Sequence, residues 1–176
     1  MDFRYNAAAR WLHWITAALI VVIAVLGVWM KSFEPADQAF KLQLYNWHES
    51  FGLLVFLLVI VRLIVRNANP PEPLPADVSP LIRFGAHANH VALYAVLLIQ
   101  PIIGFLGTNA WGFPLEWFGL IPIPSPIGKQ PDEIARQFTA AHWWTAMILA
   151  GLLTAHLAGV VYHGLIRRDG LIKRMI

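Results

Sequence analysis

Hydrophobic residues along this chain fall into four long runs, separated by polar or proline-rich stretches. Each run is near the roughly 20 residues that an α-helix needs to cross a bilayer core of about 30 Å. The pattern predicts helices over residues 11–30, 48–65, 85–107 and 140–165, with 51–61 apolar throughout except at Gly52. In the third helix Gln100-Pro101 predicts a kink, because proline lacks the amide proton and its ring crowds the preceding turn. Residues 31–47 read as a polar connection. The connections 69–80, with Pro70, Pro71, Pro73, Pro75 and Pro80, and 112–131, with Pro114, Pro122, Pro124, Pro126 and Pro131, are not regular helices. Trp111, Phe113, Trp117 and Phe118 place the latter along the membrane surface. The expected fold class is all-α, an integral membrane four-helix bundle forming one domain over residues 1–176.

Composition supports the bilayer as solvent: 58% of residues are apolar and 13% charged, against about 25% charged in a soluble domain. Arg4 and Arg10 ahead of an apolar run resemble a secretion signal, but no small-residue cleavage site follows, so a retained first helix is expected. Cysteine is absent, which removes disulfides, thiolate metal sites, iron–sulfur clusters, cysteine nucleophiles and covalent c-type haem attachment. Seven histidines remain. In so apolar a chain they require an explanation, because a polar ring in lipid is costly unless paired, ligated or facing water.

Four crossings divide the loops between two sides. Arg4, Arg10, Arg62, Arg66, Arg83, Arg167, Arg168, Lys173 and Arg174 fall on the side of the termini. Lys31, Lys41, Lys129 and Arg136 fall on the other, diluted by Glu34, Asp37, Glu49, Glu116, Asp132 and Glu133. The excess of basic residues places both termini of this multi-pass membrane protein in the cytoplasm. The net charge of +3 needs no nucleic-acid partner.

His142 and His156 lie 14 residues apart, which on a helix means a rise of about 21 Å and a return to within about 40° of the same face. They mark two levels of one helix. His48 matches the depth of His142 because each opens a helix from the same side, and His13 lies in the half of the bundle that holds His156. Depth alone leaves His90, on the third helix, as an alternative to His13. Paired neutral imidazoles suit the two axial positions of a haem and electron transfer. A zinc or copper ion instead wants three or four converging ligands. Arg62 follows His48 by the same interval of 14, with Arg66 one turn beyond, so both are candidates for haem propionates.

The segments Arg10-Trp11-Leu12-His13-Trp14, Trp47-His48-Glu49-Ser50-Phe51-Gly52 with Arg62 and Arg66, and Ala141-His142-Trp143 with His156, together resemble the bacterial cytochrome b561 family. Its wider relatives are cytochrome b subunits of membrane-bound hydrogenases and formate dehydrogenases. The resemblance spans nearly the whole chain. It implies two haems b, held by His13 with His156 and by His48 with His142, and exchange of electrons with ubiquinone. One type of member oxidises superoxide at the periplasmic side, which makes a superoxide:quinone oxidoreductase the expected enzyme. A cytochrome b subunit anchoring a hydrogenase or another periplasmic dehydrogenase is the alternative. A haem-free metal-binding or proton-conducting module is a third.

His87, His90 and Tyr94 share a face near the cytoplasmic end of the third helix, and His163 lies two turns beyond His156. Quinone reduction needs hydrogen-bond donors and protons, so His163, His87 and His90 are candidates for a quinone site, with His163 favoured by the resemblance. Lys31, Lys41, Lys129 and Arg136 are candidates for guiding an anion such as superoxide to the periplasmic side. Trp11, Trp14, Trp47, Trp143 and Trp144 fit an interfacial belt touching membrane lipid.

Overall fold

Four helices long and apolar enough to cross a membrane account for most of the chain, as seen in a computed structural model that describes residues 4–33, 37–70 and 78–176. Glu34, Pro71, Pro73 and Pro75, read above as loop residues, lie outside the described residues. Helix α1 spans Ala7–Ser32, and the Asn6 side chain accepts from the Ala9 N–H at its first turn. Helix α2, Gln38–Ala68, begins ten residues before the expected start. Asp37 supplies the reason, since its carboxylate accepts from the Ala39 and Phe40 N–H groups and converts a polar connection into a capped helical entry.

Helix α3, Pro80–Trp111, also starts early: Ser79 caps it, and Pro80, placed in the connection above, stands at its first position, where a missing N–H costs nothing. The helix continues through Pro101 and ends at Gly112, whose φ of 90° is the left-handed conformation that closes helices. Helix α4, Asp132–Val161, has Asp132 and Glu133 in its first turn, where negative charge meets the positive end of the helix dipole. A π-helical turn, Tyr162–Arg167, and a 3₁₀ turn, Leu171–Arg174, follow.

Between α3 and α4 the proline-rich connection forms a short antiparallel hairpin, β1 Leu115–Trp117 with β2 Ile121–Ile123. Its turn clamps α2. Trp117 Nε1 donates to the Ser50 carbonyl at 3.1 Å, the Phe118 N–H to Ser50 Oγ at 2.8 Å, and Asn46 Nδ2 to the Glu116 carbonyl at 2.6 Å. Ser50 is fully buried beneath it.

α1 packs on α2, α2 on α3 and, most extensively, α3 on α4. The apolar centre is Val55, Val59 and Leu97, with Leu19, Ile20, Ile23, Tyr94, Leu98 and Leu149 against it. Leu149 is seven residues from both His142 and His156, so this centre separates the two histidine levels. At the far end the termini meet, with the Tyr5 N–H donating to the Arg174 carbonyl at 3.0 Å and Trp14 Nε1 to the Met175 carbonyl at 2.9 Å.

Candidate functional site

His48 and His142 each stand ten residues into a helix that starts on the hairpin side, rather than opening it as expected, so their depths match for a modified reason. Their ring centres are 6.2 Å apart with planes at 77°. At the other level His13 and His156 have ring centres 6.3 Å apart with planes at 55°. His90 also approaches His156, at 5.4 Å. Among the described residues the helices that carry the first two pairs, α2 with α4 and α1 with α4, have no extensive backbone packing on each other. Their histidines meet across the interior of the bundle.

Each pair sits among small residues. An added Cβ on Gly104 of α3 would stand 2.8 Å from His142 Cε1, and one on Gly27 of α1 would stand 3.2 Å from His48 Cε1. Gly52, one turn from His48, and Gly159, three residues from His156, face open space.

Second partners orient the rings. His142 Nδ1 donates to the Gln100 carbonyl at 3.2 Å, and Gln100 Nε2 donates to the His142 carbonyl at 3.0 Å. Thr145 Oγ1 donates to Gln100 Oε1. Gln100 precedes Pro101, and the pair that signalled a kink in the sequence therefore also serves as the acceptor for His142. An Nδ1–H engaged with a carbonyl leaves Nε2 as the lone-pair nitrogen, the arrangement typical of a metal-ligating histidine. His48 Nδ1, by contrast, is buried without a well-formed hydrogen bond, having only a weak contact with the Ile23 backbone.

Arg62 reaches the other level, its guanidinium donating to His13 Nδ1 at 3.0 Å. Arg62 and Arg66 both lie over the Tyr94 ring, at 5.5 and 5.6 Å. Two guanidinium groups beside three histidines make this level strongly cationic and suited to an anion.

The remaining candidates are dispersed. His163 is paired with Asp169, Nδ1 to Oδ2 at 2.6 Å. His87 is exposed on α3. Lys31 Nζ lies 3.2 Å from the centre of the Trp143 ring, beside His142. Lys41 is half-buried, Arg136 is exposed, and the stem of Lys129 lies within 3.3 Å of a Cβ added on Gly112. Among the described residues no group of three or more His, Asp or Glu side chains converges as a metal-ion site.

Four helices long and apolar enough to cross a membrane, with facing histidines at two depths, are an arrangement that fits the membrane-embedded b-type cytochromes. The chain belongs to the prokaryotic cytochrome b561 family, whose profile matches residues 4–176. It is 31% identical to "Cytochrome b561 homolog 2" of Escherichia coli (strain K12) over 98% of this chain and 91% of that protein. It is 25% identical to "Probable superoxide oxidase CybB" of Yersinia pestis, over 100% of this chain and 97% of that one. "Cytochrome b561 homolog 1" of Escherichia coli (strain K12) is likewise 25% identical, over 98% and 97%. Membership makes this a multi-pass membrane electron-transfer protein of a haem b family.

Proposed function

We propose that the chain binds two haems b and moves electrons from a periplasmic donor, superoxide by preference, to ubiquinone in the bacterial inner membrane. The observation that carries this is the spacing of the paired rings. A metal–imidazole bond of about 2 Å, plus roughly 1 Å from nitrogen to ring centre, puts two imidazoles on opposite sides of one metal about 6 Å apart. His48 with His142 at 6.2 Å and His13 with His156 at 6.3 Å meet that figure, whereas His90 with His156 at 5.4 Å falls short of it. Gly104 and Gly27 give the His142 and His48 rings the space they occupy against α3 and α1.

Bound haem supplies one-electron chemistry, and this chain supplies ligands, orientation and charge. On the hairpin side the Gln100 carbonyl fixes the tautomer of His142, and Gln100 Nε2, 3.4 Å from His142 Nε2, would have to turn aside for that nitrogen to ligate. At the other level Arg62 now donates to Nδ1 of His13, which in a neutral ring places the proton on Nε2. Ligation through Nε2 requires Arg62 to turn to another acceptor, and a haem propionate, shared with Arg66, is a fitting one. With both termini cytoplasmic, the His48 level is periplasmic, and Lys31 beside Trp143 brings a cation close to it. His163 lies at the cytoplasmic end, where quinone reduction would draw its protons.

Superoxide is favoured as donor by the likeness to a protein named as a probable superoxide oxidase. Stopped-flow mixing of the oxidised holoprotein with superoxide tests it. Reduction of haem within the mixing time, followed by reoxidation on adding ubiquinone, is expected. No reduction, together with copurification of a large periplasmic partner, would replace this reading with that of a dehydrogenase anchor.

A further inference from the structure

Just past α4 the backbone departs twice from ordinary geometry. The π-helical turn Tyr162–Arg167 widens the helix, and Arg168, a non-glycine residue, adopts the left-handed conformation at φ 52°. Gly170 follows at φ 77°. Left-handed backbone at a residue with a Cβ is strained, and such strain persists where neighbouring contacts over-determine it. Those contacts converge on Asp169. Its Oδ2 accepts from His163 Nδ1 at 2.6 Å and lies 3.4 Å from Arg167 Nε, and its Oδ1 accepts from the Leu171 N–H at 3.2 Å. The His163 and Asp169 side chains are only 14% and 13% exposed. Six residues separate them, an interval that an undistorted helix would not bring together on one face.

The C-terminal turn holds this arrangement against the bundle. Ile172 lies against Gly164, where a Cβ would collide with its side chain, and the last residues bond to Trp14 and Arg10 of α1. The dyad is thereby attached to the helix that carries His13, and it lies two turns, roughly 10 Å, from His156.

We infer that Asp169, positioned by Arg167 and the strained turn, holds His163 as the proton donor for acceptor reduction at this end of the bundle. This rests on the quinone reading above. A carboxylate on Nδ1–H fixes the ring tautomer and balances the charge of an imidazolium, leaving Nε2 to exchange the working proton. In each turnover quinone takes two electrons from the reduced haems and two protons, becoming quinol. His163 Nε2–H gives a proton to a quinone carbonyl oxygen, an O–H bond forms as the N–H bond breaks, and the ring is left neutral with its Nδ1–H still on Asp169. Water at the membrane surface then returns a proton to Nε2, and the cycle repeats for the second. Asp169 is a positioning residue, acting through His163.

The test uses the full-length, haem-loaded protein with its haems reduced beforehand. Reoxidation is followed optically with two acceptors, a short-chain ubiquinone, which takes up protons, and ferricyanide, which takes up none. Asp169→Asn keeps an acceptor for Nδ1–H but removes the charge. It is expected to slow the quinone reaction on the order of tenfold to a hundredfold, the range for a positioned general acid, with Asp169→Glu restoring most of the rate. Ferricyanide rates, haem spectra and the KM for quinone are expected to stay at wild-type values, and the solvent isotope effect on the quinone step to rise. A wild-type quinone rate in Asp169→Asn, or equal slowing with both acceptors, would overturn the role of the dyad. Wild-type haems that ferricyanide reoxidises but ubiquinone does not would overturn the quinone reading itself, and the dyad's role with it.

Discussion

Gly104→Ala is the sharpest perturbation of the proposed hairpin-side haem. The added methyl would stand 2.8 Å from His142 Cε1 and 3.0 Å from Nδ1, where ordinary contact needs about 3.5–4 Å. The ring must retreat from α3 by more than about half an ångström, and in doing so it stretches the 3.2 Å bond from Nδ1 to the Gln100 carbonyl beyond useful hydrogen-bond length. Overpacking of this kind costs about 1–3 kcal/mol and the lost bond about 1 kcal/mol, together a loss of roughly one to three decades in affinity for a group held on that ring. Gly27→Ala, with its contact at 3.2 Å, should be milder, and Gly151→Ala, with nothing within 4 Å, should be neutral. Haem-to-protein ratio in purified detergent samples, by pyridine haemochrome, is the assay. A fall toward one haem per chain in Gly104→Ala only is expected. Full retention of both haems, with an unchanged spectrum and unchanged thermal stability, would refute the placement of His142 against α3.

Alanine at His48 or His142 should remove one haem and leave the other, and alanine at His13 or His156 should remove the second. Retention of both in His13→Ala would transfer that ligand role to His90. Arg62→Ala should weaken only the haem on His13 and His156, read as selective loss during dilution. The C-terminal turn should also respond to acid. Burial alone would raise the Asp169 carboxyl, but its hydrogen bonds from His163 and the Leu171 N–H, with Arg167 nearby, hold it below the usual carboxylate range. A group depressed in this way stabilises the folded turn above its unfolded value of about 3.9, and that contribution is lost as pH falls through the lower folded value. The protection factors of residues 168–176, taken relative to the intrinsic exchange rate at each pH, should therefore hold from pH 7 to about 5 and fall below about 4. Equal protection at pH 3 would contradict it.

The four crossings were legible because each is a long apolar run, and the 14-residue interval between His142 and His156 is a property of helix geometry that the chain displays directly. The first ten residues of α2 were not, since Gln38, Lys41, Gln43 and Asn46 read as a loop until Asp37 is recognised as a cap. The hairpin escaped notice because its strands are three residues long, contain Pro122, and are held by Ser50 from far away in the sequence. Asp169 carried no signal toward His163, since only the π-helical turn and the left-handed Arg168 bring them together. Gln100-Pro101 was visible as a backbone irregularity, but its service to His142 depends on how α3 and α4 face each other.

The most direct measurement is the absorption spectrum and haem content of the protein expressed with ample haem and purified in mild detergent. Two haems b per chain with the low-spin bands of bis-histidine ligation are expected. A folded, colourless protein, or one that saturates at a single haem, would contradict the two-level pairing of His48 with His142 and His13 with His156.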